Sequence, residues 1–281
     1  MAVIEEIKME LGDLTALKTV TGAYSDISAL RIQSLKSAFE QNMLFYEQVT
    51  QLYHSIRLTA YMQKYLQKKK KFVSDLHPKT LHVAVTSNHR FYGTLNRDIM
   101  IQFMNDSKNR TEDRLIIGKT GKDFAQAHPE IGPYNVLVFQ TDMPPKHERD
   151  SFLSLSLGYD RVFLYYPRFI NILTQTVDRI DITYAPKSLS GGQKHIKYIF
   201  EPELPKIISF FEQQVRGLLF ARVLLETDLA RTATRLFAMD TAEREAQNLI
   251  KKTKAELIKA KQSLINRRLL ETISFATQFR Q

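Results

Sequence analysis

The segment AQNLIKKTKAELIKAKQSL, residues 246–264, sets Ile250, Leu257 and Leu264 seven residues apart, with Ala246, Thr253 and Ala260 on the alternating position between them. A repeat averaging about 3.5 residues keeps one stripe of an α-helix facing a partner, so this spacing predicts a coiled-coil seam. Large residues alternate with small ones, which lets the partner helix approach closely. At the other end of the chain Ile4, Ile7, Leu11 and Leu14 carry the same spacing, and Ile32, Leu35, Phe39, Tyr46, Val49, Tyr53 and Ile56 resume it in register. Between these two runs the seam positions are polar: Lys18, Thr21, Ser25 and Ser28. Periodicity leaves two readings open there, a bundle helix with a solvated stretch or a shaft that leaves its sheath.

Working outward, proline divides the chain. All nine prolines lie between Pro78 and Pro205, and seven of the ten glycines lie between Gly93 and Gly192. The flanking stretches lack the residue that most strongly breaks helices, so each is expected to form one long helix. The expected organisation is a coiled-coil helix over residues 1–77, an α/β domain over 78–205 and a second coiled-coil helix over 206–281. Within the middle section, LHVAVT (81–86), RLIIG (114–118), NVLVFQ (135–140) and RVFLYY (161–166) are apolar runs of strand length, separated by stretches long enough for crossover helices. The alternating run ILTQTVDRIDITY (172–184) and HIKYIF (195–200) flank Gly191-Gly192, which predicts an antiparallel hairpin at a sheet edge. One terminal helix enters this domain and the other leaves it, so a pair made of the two must run antiparallel. The fold class expected is α/β: a long antiparallel coiled coil plus a central Rossmann-like domain.

Composition narrows the chemistry. With 281 residues, 43% of them hydrophobic, the chain is too apolar for a disordered protein. It has no cysteine, which excludes disulfides, thiolate metal sites and a cysteine nucleophile. The seven histidines show no paired metal spacing, and no metal or cofactor is expected. A net charge of +10 points to an acidic partner without naming it. No secretory signal or membrane span is readable, and the cytoplasm is the expected compartment. Two motifs tempt a nucleotide-binding reading. LSGGQ (189–193) spells the signature of ABC-type ATPases, but the sequence has no Walker A loop to accompany it. IGKTGKD (117–123) hints at a phosphate loop, but Asp113 stands where its first glycine belongs. The run Lys68–Lys71 is expected to be a solvated charge cluster at a helix end.

A set of motifs then gives a resemblance. ARTATRLFAMDTAEREAQNLI (230–250) resembles the C-terminal helix of the gamma subunit of F-type ATP synthases, with Ala233, Arg235, Ala238, Met239 and Ala242 meeting its A-x-R-x-x-A-M-x-x-A pattern. KQSLINRRLLETI (261–273) is similar to that family's R-Q-x-x-I-T-x-E-x-x-E stretch, retaining Gln262, Ile265 and Glu271. TSNHRFYGTLN (86–96), IIGKTGKDF (116–124) and FEPE (200–203) resemble three further family segments, in order and over nearly the whole chain. Departures stand beside these matches. Gly22 and Tyr24 occupy places where a Lys and a Met are usual, and Lys261, Asn266 and Arg268 replace Arg, Thr and Glu. The family's basic opening is acidic here, and it is expected to compensate the basic partner helix at 246–281.

The resemblance implies a divergent central-stalk subunit that performs no bond chemistry and turns inside a ring of alpha and beta subunits, coupling nucleotide turnover to a membrane c-ring, with an epsilon-type subunit beside it. It implies catalytic-ring contacts at Lys261, Gln262, Ile265, Asn266, Arg268 and Tyr24, membrane-ring contacts at Tyr198, Phe200 and Glu201, and shaft packing by Met239 beside Ile250, Leu257 and Leu264. It places the chain peripherally on the cytoplasmic face of the membrane, with no nucleic-acid partner. The alternative left open is a coiled-coil nucleic-acid-binding or scaffold protein with an α/β domain.

Overall fold

The computed structural model describes residues 2–62, 79–107, 112–183 and 204–278. LSGGQ, Lys68–Lys71 and the HIKYIF run, with its expected hairpin, lie outside the described residues. The chain divides into two compact units, one made of Met1–Leu30 with Arg235–Gln281 and the other of Arg31–Thr234. Among the described residues no helix is long and apolar enough to cross a membrane.

Two helices supply the first unit: the N-terminal part of α1 (Ala2–Met62) and the C-terminal part of a second helix, Leu204–Gln278. Over residues 246–270 the only positions not exposed are Ala246, Ile250, Thr253, Leu257, Ala260 and Leu264, which is the seam the repeat predicts. On α1 over residues 3–30 they are Ile4, Ile7, Leu11, Leu14, Lys18, Thr21, Gly22, Ser25 and Ser28. The polar stretch therefore keeps the inward register. Thr21 and Ser28 are buried because their hydroxyls need nothing from solvent, donating back to Leu17 O at 2.9 Å and to Tyr24 O at 2.7 Å. Gly22 faces the second helix closely, since a Cβ built on it would stand 3.3 Å from the Glu243 carboxyl carbon. The expected charge compensation takes a different form from the one predicted. Lys8–Glu5, Arg244–Asp240 and Arg267–Glu271 are ion pairs within single helices, at 2.7, 3.0 and 3.2 Å.

The second unit contains a five-stranded sheet of order β3-β2-β1-β4-β5. Its strands are β1 (Thr80–Val85), β2 (Asp113–Ile117), β3 (Asn135–Leu137), β4 (Arg161–Phe169) and β5 (Gln175–Asp181). The first four are parallel, and β5 pairs antiparallel with β4 as an edge strand. Helices α2 (Leu95–Asp106), α3 (Lys119–Ala127) and α4 (Lys146–Ser156) lie between strands in sequence, so the Leu204–Gln278 helix is α5. All six residues of β1 are buried, as a central parallel strand covered on both faces requires. Leu81, Val83 and Val85 point to one face with Leu115, Ile117, Val162 and Leu164, where Tyr46 and Tyr53 of α1 and Leu219, Phe220 and Val223 of α5 cover them. Ala84, Ile116 and Tyr165 point to the other, under Ile99, Met100 and Phe103 of α2. Each of these large apolar side chains contributes about 1.5–3 kcal/mol by leaving water. In this unit α1 and α5 run antiparallel: Ile56 packs with Ile208, Tyr53 stacks on Phe211, and Arg31 pairs with Asp228 at 2.8 Å.

Candidate functional site

Two surfaces carry the expected functional residues. On α5, Lys261, Gln262, Ile265, Asn266 and Arg268 are all exposed, and Lys261, Ile265 and Arg268 share one lane at i, i+4 and i+7 beside the seam. Met239 is half-buried, as are Ile250, Leu257 and Leu264. On α1, Tyr24 is 48% exposed and is not isolated. Leu17, Val20, Tyr24 and Ile27 form an outward apolar lane of 3–4–3 spacing, one residue ahead of the polar seam. This lane escaped the sequence reading. Its signal was a second heptad-like repeat shifted by one position, with larger and more apolar residues than the repeat that is buried. Tyr198, Phe200 and Glu201 lie outside the described residues.

The α/β unit offers the second place to look. In a doubly wound sheet, ligands sit beyond the strand C-termini where the strand order reverses, here between β1 and β4. That crevice is filled from α5. Arg231 is 2% exposed, its Nη2 donates to Val85 O at the end of β1 at 3.1 Å, and the Tyr92 ring lies 6.0 Å from its guanidinium carbon. Burial pushes the guanidinium pKa down, while Asp142, Tyr92 and Asp228 hold it up. Asp142 is fixed in turn, accepting from the Tyr92 hydroxyl at 3.1 Å and from the Asn88 backbone at 2.7 Å.

The phosphate-loop-like stretch is likewise occupied by its own chain. A helix N-terminus binds anions through free backbone N–H groups. Here the Lys119 N–H donates to Asn88 Oδ1 at 3.2 Å, Thr120 to Ser87 O at 3.0 Å and Gly121 to Thr86 Oγ1 at 3.0 Å, while Gly118 donates to Leu137 O at 3.0 Å. The resemblance segments TSNHRFYGTLN and IIGKTGKDF are thus two halves of one internal hydrogen-bonded corner. Gly118 is needed there, with φ at +101°. Gly121 is needed for close approach, because a Cβ on it would stand 2.5 Å from Thr86 Oγ1. His82 is a core histidine whose ring nitrogens bond the Tyr165 hydroxyl at 2.9 Å and the Glu112 carboxylate at 2.8 Å. Among the described residues no group of three His, Cys, Asp or Glu could hold a metal.

Paired helices and an α/β unit with a closed crevice define a stalk-type protein, and solved structures share the fold. A Tetrahymena thermophila mitochondrial ATP synthase central stalk/c-ring structure aligns with a TM-score of 0.57 at 20% identity, over 79% of this chain and 99% of that one. A Euglena gracilis mitochondrial ATP synthase OSCP/F1/c-ring structure aligns with a TM-score of 0.55 at 15% identity, over 92% and 95%. The family profile described as ATP synthase, ATP-synt, matches residues 3–277, and the chain belongs to that family. Curated relatives include the ATP synthase gamma chains of Christiangramia forsetii, 25% identical over 98% of both chains, and of Lawsonia intracellularis, 23% identical over 98% of this chain and 99% of that one. The chain is a divergent central-stalk rotor subunit of the gamma type, and the nucleic-acid-binding or scaffold alternative finds no support.

Proposed function

We propose that the chain is the non-catalytic shaft that couples nucleotide turnover in a ring of alpha and beta subunits to rotation of a membrane c-ring, on the cytoplasmic face of the membrane, with an epsilon-type subunit alongside. The observation that carries this reading is the outward face of the first unit, where Leu17, Val20, Tyr24 and Ile27 on α1 stand exposed although the seam beside them is polar. A shaft influences its ring only through contacts that differ between ring states, and an exposed apolar lane on a stiff helix supplies them. Lys261, Gln262, Ile265, Asn266 and Arg268 are assigned to the same ring, with Lys261 as a point charge that lacks the planar fork of an arginine. Tyr198, Phe200 and Glu201 are assigned to the membrane ring. The consumed N–H groups at α3 and the filled crevice support a rotor that binds no nucleotide itself.

The test is reconstitution with alpha and beta partners and the membrane sector, followed by ATPase turnover and ion pumping. Lys261→Ala is expected to lower turnover while assembly persists. Glu201→Ala is expected to leave soluble ATPase intact and to impair pumping. Unchanged turnover and pumping in both variants would remove these residue assignments.

A further inference from the structure

Within the second unit, α1 and α5 do not meet through a dry interface throughout their length. Asn42, Tyr46 and Thr50 lie four residues apart on one face of α1. Opposite them α5 presents Arg222, Glu226 and Thr227, with the Arg222 guanidinium carbon 5.9 Å from the Tyr46 ring centre. Tyr46, Thr50, Glu226 and Thr227 are buried, at 5%, 6%, 4% and 1% exposure. Six side-chain atoms in this cluster are enclosed and have no protein hydrogen-bond partner: Asn42 Oδ1, Tyr46 OH, Thr50 Oγ1, Arg222 Nε, Glu226 Oε2 and Thr227 Oγ1. The nearest match, Arg222 Nε to Glu226 Oε2, is 3.8 Å, beyond hydrogen-bond reach.

Enclosed polar atoms are almost always satisfied, and six orphans would together cost a free energy comparable with the whole stability of a domain. The set also specifies its guest. Three hydroxyls can each donate or accept, Asn42 Oδ1 only accepts, Arg222 Nε only donates, and Glu226 offers a carboxyl oxygen. One cation and one acid share the site, so neither an anion nor a metal ion is favoured. The guest must donate and accept in comparable number and be small enough to lie between two packed helices. We propose that this slot between α1 and α5 binds a cluster of ordered water molecules that bridge the two helices. Burial pushes the Glu226 carboxyl pKa up, with Arg222 and Arg168 acting against it, which is consistent with a site hydrated by few molecules rather than open to bulk solvent.

The sign of a conservative substitution tests this. Thr→Val keeps the shape and removes the hydroxyl, so at a dry orphan it stabilises, and at a water-bonded hydroxyl it removes a bridge. Oxygen-17 relaxation dispersion on the full chain counts long-lived internal waters. Thr50→Val and Thr227→Val are each expected to lower that count by one or two and to lower the unfolding equilibrium constant about fivefold in urea, as the loss of one net hydrogen bond does. A reduced water count upholds the proposal whatever the stability change. An unchanged count in both variants overturns it, even if stability falls. If the combined variant does not fold, Thr227→Val alone carries the same reading.

Discussion

Gly118→Ala isolates the corner that closes the α3 N-terminus. Its φ of +101° with ψ of 155° lies in a region that only glycine enters without strain, which costs an alanine about 1–3 kcal/mol. Collision comes on top, because the new Cβ would stand 2.4 Å from Thr86 O and 2.7 Å from Thr86 C. Those are backbone atoms, and Thr86 is held by its N–H and its hydroxyl, both donating to Ile117 O at 2.8 and 2.6 Å. Moving Thr86 therefore sacrifices bonds worth about 1 kcal/mol each. The sum is about 3–5 kcal/mol, a large share of a domain's 5–15 kcal/mol or so. Urea unfolding of the full chain, with hydrogen exchange resolved by segment, measures it. Protection should be lost over β1, β2 and α3 and retained over residues 246–270. Gly217→Ala is the control of opposite sign. There the Cβ meets only Leu153 Cδ1, at 3.5 Å, and replacing glycine inside a helix gains up to about 1 kcal/mol. A Gly118→Ala protein within about 0.5 kcal/mol of the parent would refute the strain and collision argument.

Further outcomes follow from other sites. Gly22→Lys is expected to stabilise the first unit by about 1 kcal/mol through helix propensity, with a pair to Glu243 contributing less, and thermal unfolding checks it. Because burial raises the Glu226 pKa in the folded chain, the folded state holds that proton more tightly than the unfolded one, so this group's contribution to stability falls as pH rises from the ordinary carboxylate range through the raised value. Glu226→Gln should therefore be neutral in acid and stabilising at pH above that window, which urea midpoints across pH would reveal. Val20→Ser with Ile27→Ser should leave stability within about 1 kcal/mol, since both are exposed, while lowering ATPase turnover in the reconstituted assembly.

The seam was legible because its period is set by helix geometry, and the six inward positions of residues 246–264 follow it without exception. The first, second and fourth strands were legible as apolar runs, but their ends were not. The third strand pairs over Asn135–Leu137 only, although Val138 and Phe139 are as apolar as its members, while the fourth continues through Pro167 to Phe169 because the hairpin partner supports it. Hydropathy alone would have buried the wrong lane of α1. Leu17, Val20, Tyr24 and Ile27 are more apolar than Lys18, Thr21, Ser25 and Ser28, and the order reverses because small hydroxyls bonded to their own helix fit a close crossing beside Gly22. Arg231 was illegible for a related reason. On a helix of 75 residues a lone arginine reads as solvated, and only the tertiary fold brings a strand-end carbonyl to it.

The filled crevice also has a mechanical meaning. An α/β layer that reserves its strand ends for a ligand must hold its neighbours by loops and lateral packing. Here α5 is keyed into the sheet like a tenon in a mortise, with Arg231 on the β1 terminus and Thr234 bonded to Gln175 at the start of β5, 3.0 Å away. A twist applied along α5 within this unit is therefore delivered directly to the sheet, where the hydrogen-bonded ladders distribute it over neighbouring strands instead of concentrating it in one turn of helix.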